Sequence, residues 1–394
     1  MPAFFDHTAV KSALVEKRFL HIPSACSSEK MADLMNWPAI NRILRENRLN
    51  APRMRISKNG QIIPEGDYML RRELRRGYGY WEIIEEKFYG FLRDGATLII
   101  DSIDQLNQPL DDFCGQLEEI FQTSLQVNCY MSWGETRGFD THWDDHDVMV
   151  VQVDGCKNWF VYGETRKYPM YTDIHSRENK APESPLWNQI IQQGDILFIP
   201  RGHWHHAIAT GEPSLHLTFG FASITGLQAF DWLKEALATS EIVRQDIPFL
   251  GTDVEKRTHA QALKEEILFI IGKTSFEEFE SSCKSRRKLR QKFSLPDVVR
   301  SPQFFSDDMC IQWNAGEVFG YGIDPDSGNL AFKMAGQKYQ FAPISQIFFE
   351  RVKGGSSIRL GDLCVQLAQT LTPHQTKSLV SDLLSRGLLR TICG

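Results

Sequence analysis

NCYMSWGETRGFDTHWDDHDVMVVQVDGCKNWFVYG, residues 128–163, alternates between two kinds of pattern. Apolar runs at either end and in the middle read as short strands. Between the first two lies THWDDHD, residues 141–147, with ligand-capable side chains crowded together. On a strand, residues two apart share a face, so His142 and Asp144 can bind one ion together. His146 joins that face if the strand continues. A third ligand must come from elsewhere, and GDILFIPRGHWHH at 194–206 is the obvious source. There Gly194-Asp195 makes a turn, Ile196–Ile199 a buried strand, and Pro200 with Gly202 a bend that presents a histidine. His203, His205 and His206 are all eligible at this level. Two imidazoles and one carboxylate leave three coordination positions free. That arrangement suits Fe(II) and oxygen chemistry better than structural zinc, which four protein ligands normally close. An HxD pair occurs by chance in many chains. Its weight here comes from falling in one β-rich region with an apolar strand, a turn and the downstream GD-apolar-P-x-G-x-x-H.

Around this region the chain changes period. Residues 125–222 hold short strands at regular spacing, which points to a sandwich or closed barrel. Before them, KRFLHIP reads as a strand, and EKMADLMNWPAINRILREN as helix interrupted by Pro38. Asn59-Gly60 signals a hairpin. EKFYGFLRDGATLIIDSIDQL reads as helix, turn and buried strand, and 110–123 as helix. From about 225 to 295 the spacing turns helical, ending in SFEEFESSCKSRRKLRQKF. Strands return at 303–350. The end reads as helix, short turn, helix and terminal strand, a winged-helix-like order. Its second helix starts at Thr372 with a capping box to Gln375 and stops at Gly387.

The 394 residues suggest two or three domains, and 42% apolar content supports a core. A net charge of −6 gives no general attraction to nucleic acid or anionic membrane. The N-terminus lacks a signal-peptide pattern and no run is long enough to span a bilayer. The eight cysteines, Cys393 among them, are scattered without CxxC, so neither a disulfide scaffold nor a zinc knuckle is indicated, and the expected location is cytoplasmic. The basic run KSRRKLRQK (284–292) reads as the solvated face of a helix. The last helix carries Lys377 and Arg386 against Asp382, too few positive charges for a groove reader, so direct nucleic-acid binding is not expected.

The motif order N-x-Y, H-x-D-x-x-D-V, an apolar strand ending in Q, G-x-K-x-W, then GD-x-L-F-I-P-x-G-x-x-H resembles the JmjC/cupin-fold Fe(II)- and 2-oxoglutarate-dependent oxygenases, most of all the ribosomal oxygenase group. The resemblance implies an α+β chain: a double-stranded β-helix (cupin/JmjC) catalytic domain over 1–224, a helical dimerisation-like domain over 225–300, and a C-terminal winged-helix-like domain over 301–394. It implies that His142, Asp144 and His205 hold the iron, with His205 selected by the family's P-x-G-x-x-H. It places Lys157 against the distal carboxylate of 2-oxoglutarate, Asn128 and Tyr130 along the cosubstrate pocket, and His216 and Thr218 on the final barrel strand beside the iron. O2 would complete the reaction, and a homodimer is implied.

Lys157 can also be examined physically. Asp154-Gly155 is a favourable two-residue hairpin turn that would pair Gln152 with Lys157. If the strand ran straight from 144 to 152, Asp144 would lie about 26 Å from that pair, too far for one lysine and a five-carbon acid to bridge. A sharp bend in DDHD is therefore expected, and an inward Lys157 needs an anion. The leading expectation is a hydroxylase of a protein or peptide side chain, with a ribosomal protein the family-typical substrate. The alternatives are a hydroxylase of a biosynthetic precursor peptide, with the winged helix as recognition module, and a non-catalytic cupin-fold binding protein.

Overall fold

The computed structural model describes residues 4–73, 77, 79–175, 180–287, 289–314 and 318–392; Lys288 and Cys393 lie outside them. The chain divides into two compact units, Met1–Ser223 and Ile224–Gly394.

In the first unit the helices are α1 (His7–Glu16), α2 (Ser28–Leu34), α3 (Trp37–Glu46), α4 (Glu65–Tyr68), α5 (Glu85–Arg93) and α6 (Gln108–Phe121). The strands are β1 (Leu20–Ile22), β2 (Met54–Lys58), β3 (Gln61–Ile62), β4 (Met69–Glu73), β5 (Gly79–Ile83), β6 (Thr97–Ile100), β7 (Leu125–Ser132), β8 (Asp147–Asp154), β9 (Cys156–Glu164), β10 (Trp187–Gln192), β11 (Ile196–Ile199), β12 (His203–Ala209) and β13 (Ser214–Phe221). The helical stretch is interrupted beside Pro38: α2 ends at Leu34 and α3 starts at Trp37, with Asn36 as its cap and Pro38 in its first turn, where a missing N–H costs nothing. Asn59 and Gly60, both at positive φ, close the β2–β3 hairpin as the sequence suggests.

Two antiparallel sheets frame the unit. The larger runs β1-β11-β8-β13-β7-β6-β2-β3 and the smaller β10-β9-β12. Side-chain parity gives each central strand of the larger sheet two different faces. Val127, Cys129 and Met131 of β7, Met149, Val151 and Val153 of β8, and Leu215, Leu217, Phe219 and Phe221 of β13 point one way, into a core shared with Met31, Ile40, Leu110 and Leu117 of the helices. Val148 and Val150 point the other way and meet Trp159, Val161 and Ile191 of the smaller sheet. Burial on both faces explains why β8 reads as a nearly unbroken apolar run.

One expectation fails here. Asp154-Gly155 does not form a hairpin. β8 is flanked by β11 and β13, and β9 by β10 and β12, so the turn carries the chain from one sheet to the other. Lys157 consequently pairs with Ile191 and Ala209, not with Gln152. Gly155 has φ +66, and a Cβ there would stand 1.9 Å from the Pro213 carbonyl oxygen. The glycine serves close approach as well as turning, a demand that the Asp-Gly pair does not distinguish from a hairpin.

The second unit opens with α7 (Gly226–Leu237), α8 (Glu241–Arg244), α9 (Asp253–Lys273) and α10 (Phe276–Ser285). The last helix is shorter than the sequence pattern suggested. It ends at Ser285, with Arg286 as its cap, so most of the basic run lies beyond it. Arg286 pairs with Glu235 and Lys284 with Glu280. Strands β14 (Cys310–Trp313), β15 (Phe319–Ile323), β16 (Leu330–Met334), β17 (Gln337–Phe341), β18 (Ile358–Arg359) and β19 (Leu389–Ile392) form two three-stranded sheets, β18-β14-β19 and β15-β16-β17. Helices α11 (Gln346–Val352), α12 (Leu360–Leu367) and α13 (Pro373–Ser385) share one core with them. The capping box between Thr372 and Gln375 is present, and Gly387 takes φ +71 after the last turn. Among the described residues no helix is long and apolar enough to cross a membrane, and each cysteine is a free thiol.

Candidate metal centre

The segment between β7 and β8 is irregular at 141–146, and β8 begins only at Asp147. Acidic and imidazole side chains in sequence make a poor buried strand, so the chain bends here. His142 nevertheless pairs locally with His205: its N–H donates to the His205 carbonyl at 3.1 Å and its own carbonyl accepts from His205 at 2.7 Å. Gly202, at φ +85, turns the chain from β11 into β12 and donates its N–H to the Asp144 carbonyl at 2.9 Å. These backbone contacts hold the two distant segments together.

Ligand atoms of His142, Asp144 and His205 lie within 4.8 Å of one another. Asp144 Oδ1 stands 4.0 Å from His142 Nε2 and Oδ2 stands 3.5 Å from His205 Nε2. Each imidazole is oriented by its other nitrogen. His142 Nδ1 meets the Asp140 carbonyl at 2.8 Å, and His205 Nδ1 meets the His203 carbonyl at 3.0 Å. A carbonyl can only accept, so both Nδ1 atoms carry hydrogen and both Nε2 lone pairs are directed at the centre. Burial opposes charge on Asp144, but the imidazoles of His142, His205 and His146 hold its carboxyl below the usual carboxylate range. Burial, then the neighbouring His142, pushes His205 down to about 4. A neutral imidazole and an ionised carboxylate are the protonation states a divalent cation requires.

The site lies in a cavity of about 560 Å³. Its wall uses the second face of the large sheet: Asn128 and Tyr130 of β7, Val148 and Val150 of β8, and His216, Thr218 and Gly220 of β13. Tyr130 and His216 stack with ring centres 4.9 Å apart. Asn128 Oδ1 accepts from the Ser102 N–H at 3.1 Å. From the smaller sheet come Lys157, Trp159, His205 and His206.

Lys157 is 3% exposed. Its ammonium donates to Ser132 Oγ at 2.9 Å, and that hydroxyl meets Thr97 Oγ1 at 2.9 Å. No acidic side chain among the described residues pairs with it. Burial pulls its pKa down to about 7, and burial together with the Lys157 charge keeps His216 well below its ordinary value. Ser132 and Thr97 went unread in the sequence, because each sits on an apolar strand with no local mark beyond its parity.

The remaining histidines fall outside the triad. His146 Nδ1 meets Asp145 Oδ1 at 3.0 Å, and its ring lies over Gly220, where a Cβ would come within 2.9 Å. His206 meets Thr141 Oγ1 at 3.0 Å and stacks on Phe160, and His203 is turned away from the cavity lining.

Residues 103–228, which contain this site except Thr97 and Ser102, match the family model described as JmjC domain. Among curated proteins, the chain is similar to the bifunctional lysine-specific demethylase and histidyl-hydroxylase NO66 of Drosophila mojavensis, 30% identical over 159 residues, covering 40% of this chain and 18% of that protein. It is similar to NO66 of Drosophila melanogaster at 24% over 230 residues, covering 54% of this chain and 35% of the relative. The chain thus spans well under half the length of these two relatives. Among solved structures, the Escherichia coli ribosomal oxygenase YcfD shares the fold with a TM-score of 0.57 at 13% identity, covering 95% of each chain. A structure of YcfD in complex with cobalt and 2-oxoglutarate matches at 0.56 and 13%, again over 95% of each. Residues 103–228 match the JmjC domain family, and the chain shares the fold of the solved YcfD structures.

Proposed function

We propose that this protein is an Fe(II)- and 2-oxoglutarate-dependent dioxygenase that hydroxylates a side chain of a protein or peptide, with a ribosomal-protein-like substrate. The observation that carries this reading is the pairing, in the same cavity, of an open two-histidine, one-carboxylate centre with a buried lysine that has no acid partner among the described residues. Desolvating an ammonium without an anion is costly, so the cavity fits a ligand that brings a carboxylate. Lys157 lies four positions before Val161, the residue opposite His205, which places it about 13 Å along β9. A five-carbon diacid held at the metal and a lysine side chain together span that distance.

In this reading His142, Asp144 and His205 hold the iron. The Nδ1–carbonyl bonds keep both imidazoles in the coordinating tautomer. Lys157, with Ser132 and Thr97 behind it, takes the far carboxylate of 2-oxoglutarate. Asn128, Tyr130, His216 and Thr218 form the wall along which the cosubstrate lies. Trp159, Val148 and Val150 keep this end of the cavity dry, which strengthens the lysine–carboxylate attraction. Bound iron and 2-oxoglutarate supply the oxygen chemistry: O2 is consumed, the cosubstrate becomes succinate and carbon dioxide, and the substrate gains a hydroxyl.

The domain reading is a catalytic domain over 1–224, a helical domain over 225–300 and a winged-helix-like domain over 301–394. The helix–turn–helix–strand order of α12, α13 and β19 supports the last of these. Exposed Leu227, Phe230, Val254, Leu268 and Phe269 on the helices α7 and α9 support a homodimer. The similarity to proteins described as a ribosomal oxygenase and a histidyl-hydroxylase supports a protein substrate. Intact-mass screening of ribosomal proteins and peptides with iron, 2-oxoglutarate and O2 tests the reading. The expected result is a gain of one oxygen atom that requires 2-oxoglutarate; no product across the set, with succinate formation also absent, contradicts it.

A further inference from the structure

Asp147 is 2% exposed, yet neither the metal centre nor the cavity wall includes it. It opens β8, three residues after Asp144. Its Oδ2 accepts from Lys17 Nζ at 2.5 Å, and its Oδ1 accepts from the backbone N–H of Arg201 at 3.1 Å. Arg201 belongs to the turn between β11 and β12 that leads to His205, and the next residue, Gly202, donates to the Asp144 carbonyl. Lys17 is the C-cap of α1, in a left-handed conformation at φ 54 that turns the chain toward the sheet. One buried carboxylate therefore joins three segments distant in sequence: the end of α1, the strand that follows Asp144, and the turn that precedes His205.

An apolar side chain would fill this position at lower desolvation cost. What a carboxylate adds is two directed acceptors, each engaged by a different segment. We propose that Asp147, held by Lys17, is a positioning residue that fixes the spacing between Asp144 and His205 and so tunes affinity for the metal. This rests on the metal-centre reading above. The bond to Arg201 sets the height of the turn against β8. The contact with Lys17 keeps the carboxylate aimed, so that Oδ1 stays on the Arg201 N–H. Groups that orient ligands without touching the metal typically change metal affinity by about 10–100-fold when removed.

The test uses the full chain and Co(II) as probe, with affinity read by calorimetry and coordination by the visible cobalt spectrum. Asp147→Asn and Lys17→Met are each expected to weaken Co(II) binding by about tenfold or more and to alter the cobalt bands. The double variant is expected to be no weaker than Asp147→Asn alone, and Lys17→Arg is expected to keep wild-type affinity. Asp195→Asn serves as control: that carboxylate is also buried and takes His21, the Ser24 N–H and the Gln192 N–H, but it touches neither ligand segment. It should lower the melting temperature and leave Co(II) affinity intact. If Asp147→Asn and Lys17→Met melt earlier but bind Co(II) as wild type does, Asp147 is structural only and the proposal falls. Should Asp147→Asn not fold, the Lys17 variants decide alone. Failure of the wild type to bind Co(II) would instead overturn the metal-centre reading itself.

Discussion

The two faces of β7, β8 and β13 are built from the same three stretches of chain but are different materials. One face is aliphatic and aromatic throughout: Val127, Cys129, Met131, Met149, Val151, Leu217 and Phe219, all essentially fully buried against the helices. The other carries Asn128, Tyr130, His216 and Thr218 toward the cavity, with Ser132 behind Lys157. Stability and chemistry are thus separated by the two-residue period of a strand. A functional group placed one position out of step would fall into the core, and a core residue out of step would block the cavity.

The comparison can be broken most severely from the cavity side. Lys157→Met removes the charge that matches a bound carboxylate. It is expected to weaken 2-oxoglutarate binding by about 3 kcal/mol, roughly a hundredfold, while leaving metal affinity within a few-fold of wild type. The same variant sharpens the point through stability. The folded pKa of Lys157, about 7, lies below its ordinary 10.5. Between those values the unfolded chain holds a proton that the folded chain does not. The destabilisation from this group is therefore full below pH 7 and is relieved as pH rises toward 10.5. In the absence of ligand, Lys157→Met should melt later than wild type, by most below pH 7 and by less as pH approaches 10. Equal melting temperatures across that range would show that burial does not penalise the charged form of this lysine.

On the opposite face, Leu217→Ala lies between His216 and Thr218 but points into the core. The expected cost is about 2–5 kcal/mol of unfolding free energy in a denaturant titration. The folded fraction should bind metal and 2-oxoglutarate as wild type does. A large loss of cosubstrate affinity in folded Leu217→Ala would mean that the two faces are not independent.

Much of this was legible in the sequence because it obeys local rules. Alternation and turn residues marked β7, β8, β9, β11 and β13, and HxD with a downstream P-x-G-x-x-H marked the segments that meet at the centre. Choosing His205 over His203 and His206 rested on resemblance, since strand parity gives no answer through the bulge between His203 and His205. The partition of strands between two sheets was not legible: Asp154-Gly155 looks the same whether it closes a hairpin or crosses between sheets. Lys157 reached the cavity all the same, because β9 presents it from the smaller sheet. The hairpin β4–β5 and the edge strand β10 also went unread, since arginine-rich MLRRE and polar WNQIIQ lack the apolar alternation that marks a half-buried strand. Asp147 and Lys17 are far apart in sequence, and nothing local joins them.

The central claim is that His142, Asp144 and His205 form one open metal centre that accepts 2-oxoglutarate as a chelating cosubstrate. Anaerobic addition of Fe(II) and 2-oxoglutarate to the full chain tests it directly. A weak visible charge-transfer band is expected in the wild type, requiring both additions, and it should vanish in His142→Ala. No band in the wild type, or an unchanged band in His142→Ala, would contradict the account.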